Sequence, residues 1–162
     1  MIPGKDEPIS PLTMRLVADA PLRWRSIPCI FNRKCKAIFE RALSQRNAAT
    51  VSESWLGCEV DERFHLAVSD LTANHLYWSQ PLFVPQDECF VLFRFWQRGI
   101  ADCMEFEGFI LDLESLLGLD IPGDLKLPSM TYGEFLEAIA GLGNKAKAAS
   151  VEPADRNDRI GR

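Results

Sequence analysis

The chain has no run approaching the ~18 consecutive apolar residues that a membrane-spanning helix needs. It has no apolar segment behind a basic start among its first nineteen residues, so no secretory leader is expected and the cytoplasm is the expected compartment. Its five cysteines, at 29, 35, 58, 89 and 103, are odd in number and form no CxxC pair. That pattern argues against a disulfide framework and against a zinc site. Only two histidines occur, His65 and His75, and ten residues of helix would put them on different faces. No HExxH, P-loop or dinucleotide-binding glycine pattern is present, and no serine or cysteine has a recognisable base partner, so a non-enzymatic role is expected.

The 162 residues are 47% hydrophobic and 25% charged, the balance of a globular chain of one domain with extensions. The net charge of −5 conceals an asymmetry. Residues 1–50 carry nine Lys/Arg and four Asp/Glu, whereas residues 51–143 carry four and sixteen. A basic arm thus precedes an acidic domain, a split that suggests an interaction role for the arm. The arm has two readings: binding to an anionic partner, or folding back on its own acidic domain, which is already present at high effective concentration. A pI near 5.1 and the lack of a binding motif argue against nucleic acid.

Periodicity sets the expected elements. Three prolines and no pattern make residues 1–14 a flexible lead, and Pro28 is expected to break any helix. Asn32 is expected to cap a basic helix reaching about Asn47, with Cys35, Ile38, Phe39 and Leu43 as its apolar stripe. Arg33, Lys34, Lys36, Arg41 and Arg46 decorate the remainder of that helix, and residues 48–57 read as a linker. A second helix spans about 59–78, with Val60, Phe64, Ala67, Val68, Leu71 and His75 on one face. Pro81 and Pro85 force an extended loop over 80–88. The aromatic run 90–96 reads equally well as a short buried strand. Asp102 as cap and Glu105 three residues later start a helix that Gly118 stops. Thr131 and Glu134 form a second capping box, for a helix ending at Gly141 and Gly143. From residue 144 the tail is expected to be disordered.

Helices separated by a long proline-bearing loop, together with particular residues, resemble the acyl carrier protein plan. The segment Gly99-Ile100-Ala101-Asp102-Cys103-Met104-Glu105 is similar to that family's Gly-x-Asp-Ser-Leu-Asp motif. Leu113-Glu114, Leu117 and Ile121-Pro122 follow at the family's spacing without a gap, and Met130-Thr131, Leu136 and Ile139 resemble its last helix. The resemblance covers about half the chain. It implies an all-α, small acyl carrier protein-like helical bundle over residues 58–143. The N-terminal extension, with its basic helix and linker, would be residues 1–57, and the tail 144–162.

The departure falls at the functional position. Carrier proteins attach 4′-phosphopantetheine to the motif serine, and here Cys103 stands in its place, between Asp102 and Met104. A thiol would give a phosphorothiolate ester, so the expectation is an unmodified, degenerate carrier with no cofactor. Replacement of leucine by Met104 conserves volume. The plainer reading of Cys103 is a small residue filling a vacated serine site; the sharper one is a reactive thiol near a helix N-terminus. The resemblance further implies that Glu105, Glu107, Asp112 and Glu114 form an acidic surface for a protein partner; an ordinary solvated face is the alternative. A working carrier that holds an acyl or pantetheine group on Cys103 or another residue remains the competing function.

Overall fold

The computed structural model describes residues 8–19, 26–97 and 104–150. Among them the chain is all-α, as the sequence implies, with six helices, two 3-10 turns and no strand. Helix α1 is Pro28–Ser44, α2 Ala48–Ser54, α3 Glu62–His75, α4 Cys89–Leu92, α5 Met104–Leu117 and α6 Tyr132–Ser150. No helix of the described residues is long and apolar enough to cross a membrane.

Pro28 begins α1 rather than breaking it. At the first helical position its missing N–H is one that no helix would pair, and its fixed φ suits the turn. Phe31, Cys35, Phe39 and Leu43 recur every four residues and are all buried. This is the expected stripe extended one turn toward the N-terminus. The expected linker is instead α2. Asn47 accepts a bond from the Thr50 N–H at 2.8 Å, and Val51 and Trp55 sink into the core.

The inner face of α3 is rotated from the expected one. His65, Val68, Ser69, Thr72 and Ala73 are buried, whereas Phe64, Ala67, Leu71 and His75 are only half-buried. Hydrophobic periodicity missed this because Ser69 and Thr72 are polar. Their hydroxyls lie 3.3 and 3.1 Å from the Tyr132 hydroxyl, and Thr72 also donates to the Val68 carbonyl, so neither is buried unsatisfied.

The aromatic run resolves as one helical turn, α4, followed by a tight bend, not a strand. Arg94 takes a left-handed φ of 59°, and the Trp78 and Trp96 indoles donate back to the Leu92 and Val91 carbonyls at 2.9 Å. Phe93 then sits at the centre of the bundle, with Phe109 and Phe135 each 5.2 Å away between ring centroids. Helix α5 packs against α3 through Phe109 and Leu113 and stops at Gly118, whose φ of 68° carries no Cβ penalty. The Thr131–Glu134 capping box forms as expected, with bonds of 2.8 and 3.3 Å. Helix α6 does not end at Gly141 or Gly143; it continues through Lys145 and Lys147 to Ser150, so the first part of the expected disordered tail is helical.

One core runs through these elements. Leu12, Val17, Phe31, Phe39, Leu43 and Trp55 share a single apolar cluster with Val68, Phe83, Phe93, Phe109 and Ile139. The boundary expected between residues 57 and 58 therefore crosses this core rather than bordering it. The basic helix packs against the acidic segment mainly through buried hydrocarbon.

Candidate functional site

Asp102 and Cys103 lie outside the described residues, and Met104 opens α5. The structure therefore describes the helix that follows Cys103, not Cys103 itself.

That surface is the outer side of α5. Its inner side is set by Phe109 and Leu113, fully buried, with Phe106, Ile110 and Leu117 half-buried around them. Glu107, Leu111, Asp112, Ser115 and Leu116 consequently point outward. Leu111 is 65% exposed and Leu116 50%, large apolar side chains standing among acids. The four acidic residues expected to act together divide. Glu107 is exposed. Asp112 accepts from His75 Nε2 at 2.6 Å, tying α5 to the end of α3. Glu114 accepts the Ile121 N–H at 2.8 Å and shapes the exit of α5. Glu105 is half-buried and, with Glu40, sustains the charge of Arg94 against the burial that lowers its pKa.

The thiols and the buried histidine show what chemistry the described residues favour. Cys29, Cys35, Cys58 and Cys89 are free thiols. Burial, followed by the charge of Glu137, pushes the Cys58 thiol up; burial pushes Cys89 up much further, against thiolate formation. Cys35 and Cys89 are buried, whereas Cys29 is exposed. His65 stacks on Trp55 at 4.6 Å, its Nδ1 lacks a partner, and burial lowers its pKa. The Tyr132 hydroxyl is likewise pushed up, first by burial. No group of three or more metal-ligating side chains occurs among the described residues.

The strongest polar feature is one that sequence reasoning assigned elsewhere. Arg46, read as surface charge on the basic helix, is buried beyond its end. It grips Asp87 through Nη1–Oδ2 and Nη2–Oδ1, both at 2.7 Å. It also donates to the Leu82 and Ser10 carbonyls, while Asp87 accepts the Leu12 and Val84 N–H groups. This cluster fastens the lead, α1 and the proline loop together, so its role is structural. The available signal was an acid two residues past Pro85 in a loop that must be held in place.

A second surface lies between α1 and the 3-10 turn Met14–Val17: a groove of about 410 Å³ lined by Leu16, Lys34, Ala37, Ile38, Arg41, Ala42 and Gln45. Its walls are apolar and its rim carries two cations.

In comparisons with known proteins the chain matches no family model, no curated sequence and no solved structure.

Proposed function

We propose that this chain is a non-enzymatic, acyl carrier protein-like helical domain of the cytoplasm that acts through protein–protein contacts, without phosphopantetheine on Cys103. The observation that carries the reading is the outer face of α5, where Leu111 and Leu116 stand exposed beside Glu107 and Asp112. An isolated exposed leucine needs no explanation. Two on one helix among acids make a surface that gains from covering and selects a basic, partly apolar partner. The excess of acidic residues over 51–143 favours a cationic protein surface and disfavours nucleic acid.

Intact mass spectrometry of the protein purified from its own host tests the unmodified state. The expected mass is that of the bare chain, and a prosthetic group on Cys103 would sink the reading. A broad phosphopantetheinyl transferase is expected to leave the chain unmodified. If Cys103→Ser alone makes it a substrate, loss of the hydroxyl explains the loss of carriage. If the serine variant also stays bare, the surface recognised by the transferase has diverged too. A Glu107→Lys/Leu111→Ser variant should bind protein partners at least tenfold more weakly with its helical content unchanged. Unaltered binding would remove α5 from the argument.

A further inference from the structure

We infer that the groove between α1 and the Met14–Val17 turn is a docking site for an acidic amphipathic helix of another protein, which seats apolar side chains between Leu16 and Ile38 and sets its carboxylates on Arg41. This surface shares no residue with the outer face of α5 and is opposite to it in charge, so the inference does not rest on the reading of that face.

Helix α1 has two faces. Phe31, Cys35, Phe39 and Leu43 form the one buried in the core. Lys34, Ala37, Ile38, Arg41 and Ala42, with Gln45 just past the last turn, form the other at helical spacing. At 3.6 residues per turn the two faces lie roughly 110° apart around the helix. The second face runs ~16 Å along the axis, about three turns. Leu16 of the 3-10 turn walls its far side. Ala37 and Ala42 are small, and the trough between the walls has a volume of about 410 Å³.

Charge selects the occupant. The groove is lined by two cations and no acid. Lys34 already has an interaction within the molecule, so the charge offered to a partner is that of Arg41, which is exposed and forms no ion pair among the described residues. The surroundings have the same sign. Over residues 8–19 and 26–45 the chain carries five Lys/Arg against Asp19 and Glu40, and Glu40 is held by the Ser79 N–H and hydroxyl. Apolar walls with a cationic rim fit a helix that presents large apolar side chains at every third or fourth position between carboxylates. A bilayer presents a plane that cannot enter a trough, and the phosphates of a nucleic acid leave apolar walls uncovered. A contact confined to this groove is far smaller than a standard stable interface, so it is weak and reversible.

The probe is a fluorescein-labelled peptide, hydrocarbon-bridged into a helix, with leucine at three helically spaced positions and glutamate at those flanking them. About fifteen residues suffice to run the ~16 Å of the groove. Its fluorescence anisotropy with the full chain is expected to saturate below ~1 mM protein and to weaken at ~1 M salt, where the Debye length contracts to ~3 Å. Arg41→Glu reverses the rim, and Ala37→Phe fills the trough with its charge unchanged; each should weaken binding at least tenfold. Two control peptides, one with lysine for every glutamate and one with serine for every leucine, should also bind at least tenfold more weakly. Glu107→Lys/Leu111→Ser, on α5, should bind the probe as wild type does. Circular dichroism checks the folds; if Arg41→Glu or Ala37→Phe loses helix, Arg41→Gln or Ala37→Leu takes its place. A probe that has not saturated by ~1 mM protein overturns the inference, as does binding that either groove variant leaves unchanged or the α5 variant abolishes. Equal binding of the serine peptide would reduce the surface to a patch of charge. Arg41-dependent capture by phosphatidylserine vesicles or by single-stranded RNA, in place of the probe, would assign it to those partners. Either outcome overturns the inference too.

Discussion

Arg46 and Asp87, from opposite sides of the expected domain boundary, meet in a buried two-pronged ion pair with both N–O distances at 2.7 Å. The Asp87 side chain is fully buried. Four oxygen-directed bonds from Arg46 and two backbone N–H groups on Asp87 occupy most of the polar valence, leaving Arg46 Nε without a partner. A pair buried this deeply is costly to break by halves, because the remaining charge has no water to return to.

Arg46→Met should therefore lower unfolding free energy by about 3–5 kcal/mol, the range for stranding one member of a buried pair. Asp87→Ala should cost at least as much, since it also orphans the Leu12 and Val84 N–H groups. Urea denaturation measures both. A loss below ~1 kcal/mol for Arg46→Met would show that the pair is not desolvated in solution.

A fragment of residues 58–143 should fail to fold cooperatively. It keeps Asp87 but lacks Arg46, and it lacks Phe31, Phe39, Leu43 and Trp55 from the shared core. Each large side chain removed withholds about 1.5–3 kcal/mol of burial, against a total stability of about 5–15 kcal/mol for a domain. A fragment of residues 8–150 should melt cooperatively. Far-ultraviolet circular dichroism distinguishes the two, and a sharp transition in the shorter fragment would mean that the N-terminal helices are dispensable.

Two glycines of α6 should respond with opposite signs. At Gly133 a Cβ would come within 2.8 Å of the Pro85 Cβ and 3.2 Å of its carbonyl oxygen, so Gly133→Ala must displace the proline loop and destabilise. At Gly141 nothing lies within 4 Å, so Gly141→Ala should stabilise by about 0.5–1 kcal/mol through helix propensity alone. Thermal melts of the two variants check the pair. A destabilised Gly141→Ala would mean that α6 does not continue past that point.

His65 should make the fold sensitive to mild acid. Its folded pKa is lowered by burial, from an unfolded value of about 6.5. Below that value the unfolded chain takes up a proton that the folded chain resists. Stability from neutral His65 is thus fully present above about pH 6.5 and is lost as pH falls toward the folded pKa. His65→Phe, which keeps a ring against Trp55, should flatten the profile on the acid side relative to wild type. Urea midpoints measured at intervals between neutral pH and pH 5 decide it; parallel profiles would exclude His65 as the source.

Much of the local structure was legible in the chain. The α1 stripe, the Gly118 stop and the Thr131–Glu134 box depend on neighbours within a few residues, where spacing and capping chemistry act directly. The α3 register was misread because Ser69 and Thr72 look solvent-facing until the Tyr132 hydroxyl is known to reach them from 60 or more positions away. The 48–57 segment passed for a linker because its helix buries only Val51 and is extended inward by Trp55, whose indole N–H finds the Phe83 carbonyl at 2.9 Å. Neither partner is visible to a local window.

By itself the sequence determined that this protein is helical, that α5 stops at Gly118 and α6 starts at the Thr131–Glu134 box, and that its charge is divided between a basic first third and an acidic remainder. Those properties follow from periodicity, capping residues and composition, which no distant contact can alter. Only the tertiary structure decided which charges face water. It buried Arg46 on Asp87, tied Asp112 to His75 and Glu114 to the Ile121 N–H, and left Glu107 outward beside two exposed leucines. The physical reason is that a side chain's exposure depends on what packs over it, and those covering residues are supplied by segments far away in the chain.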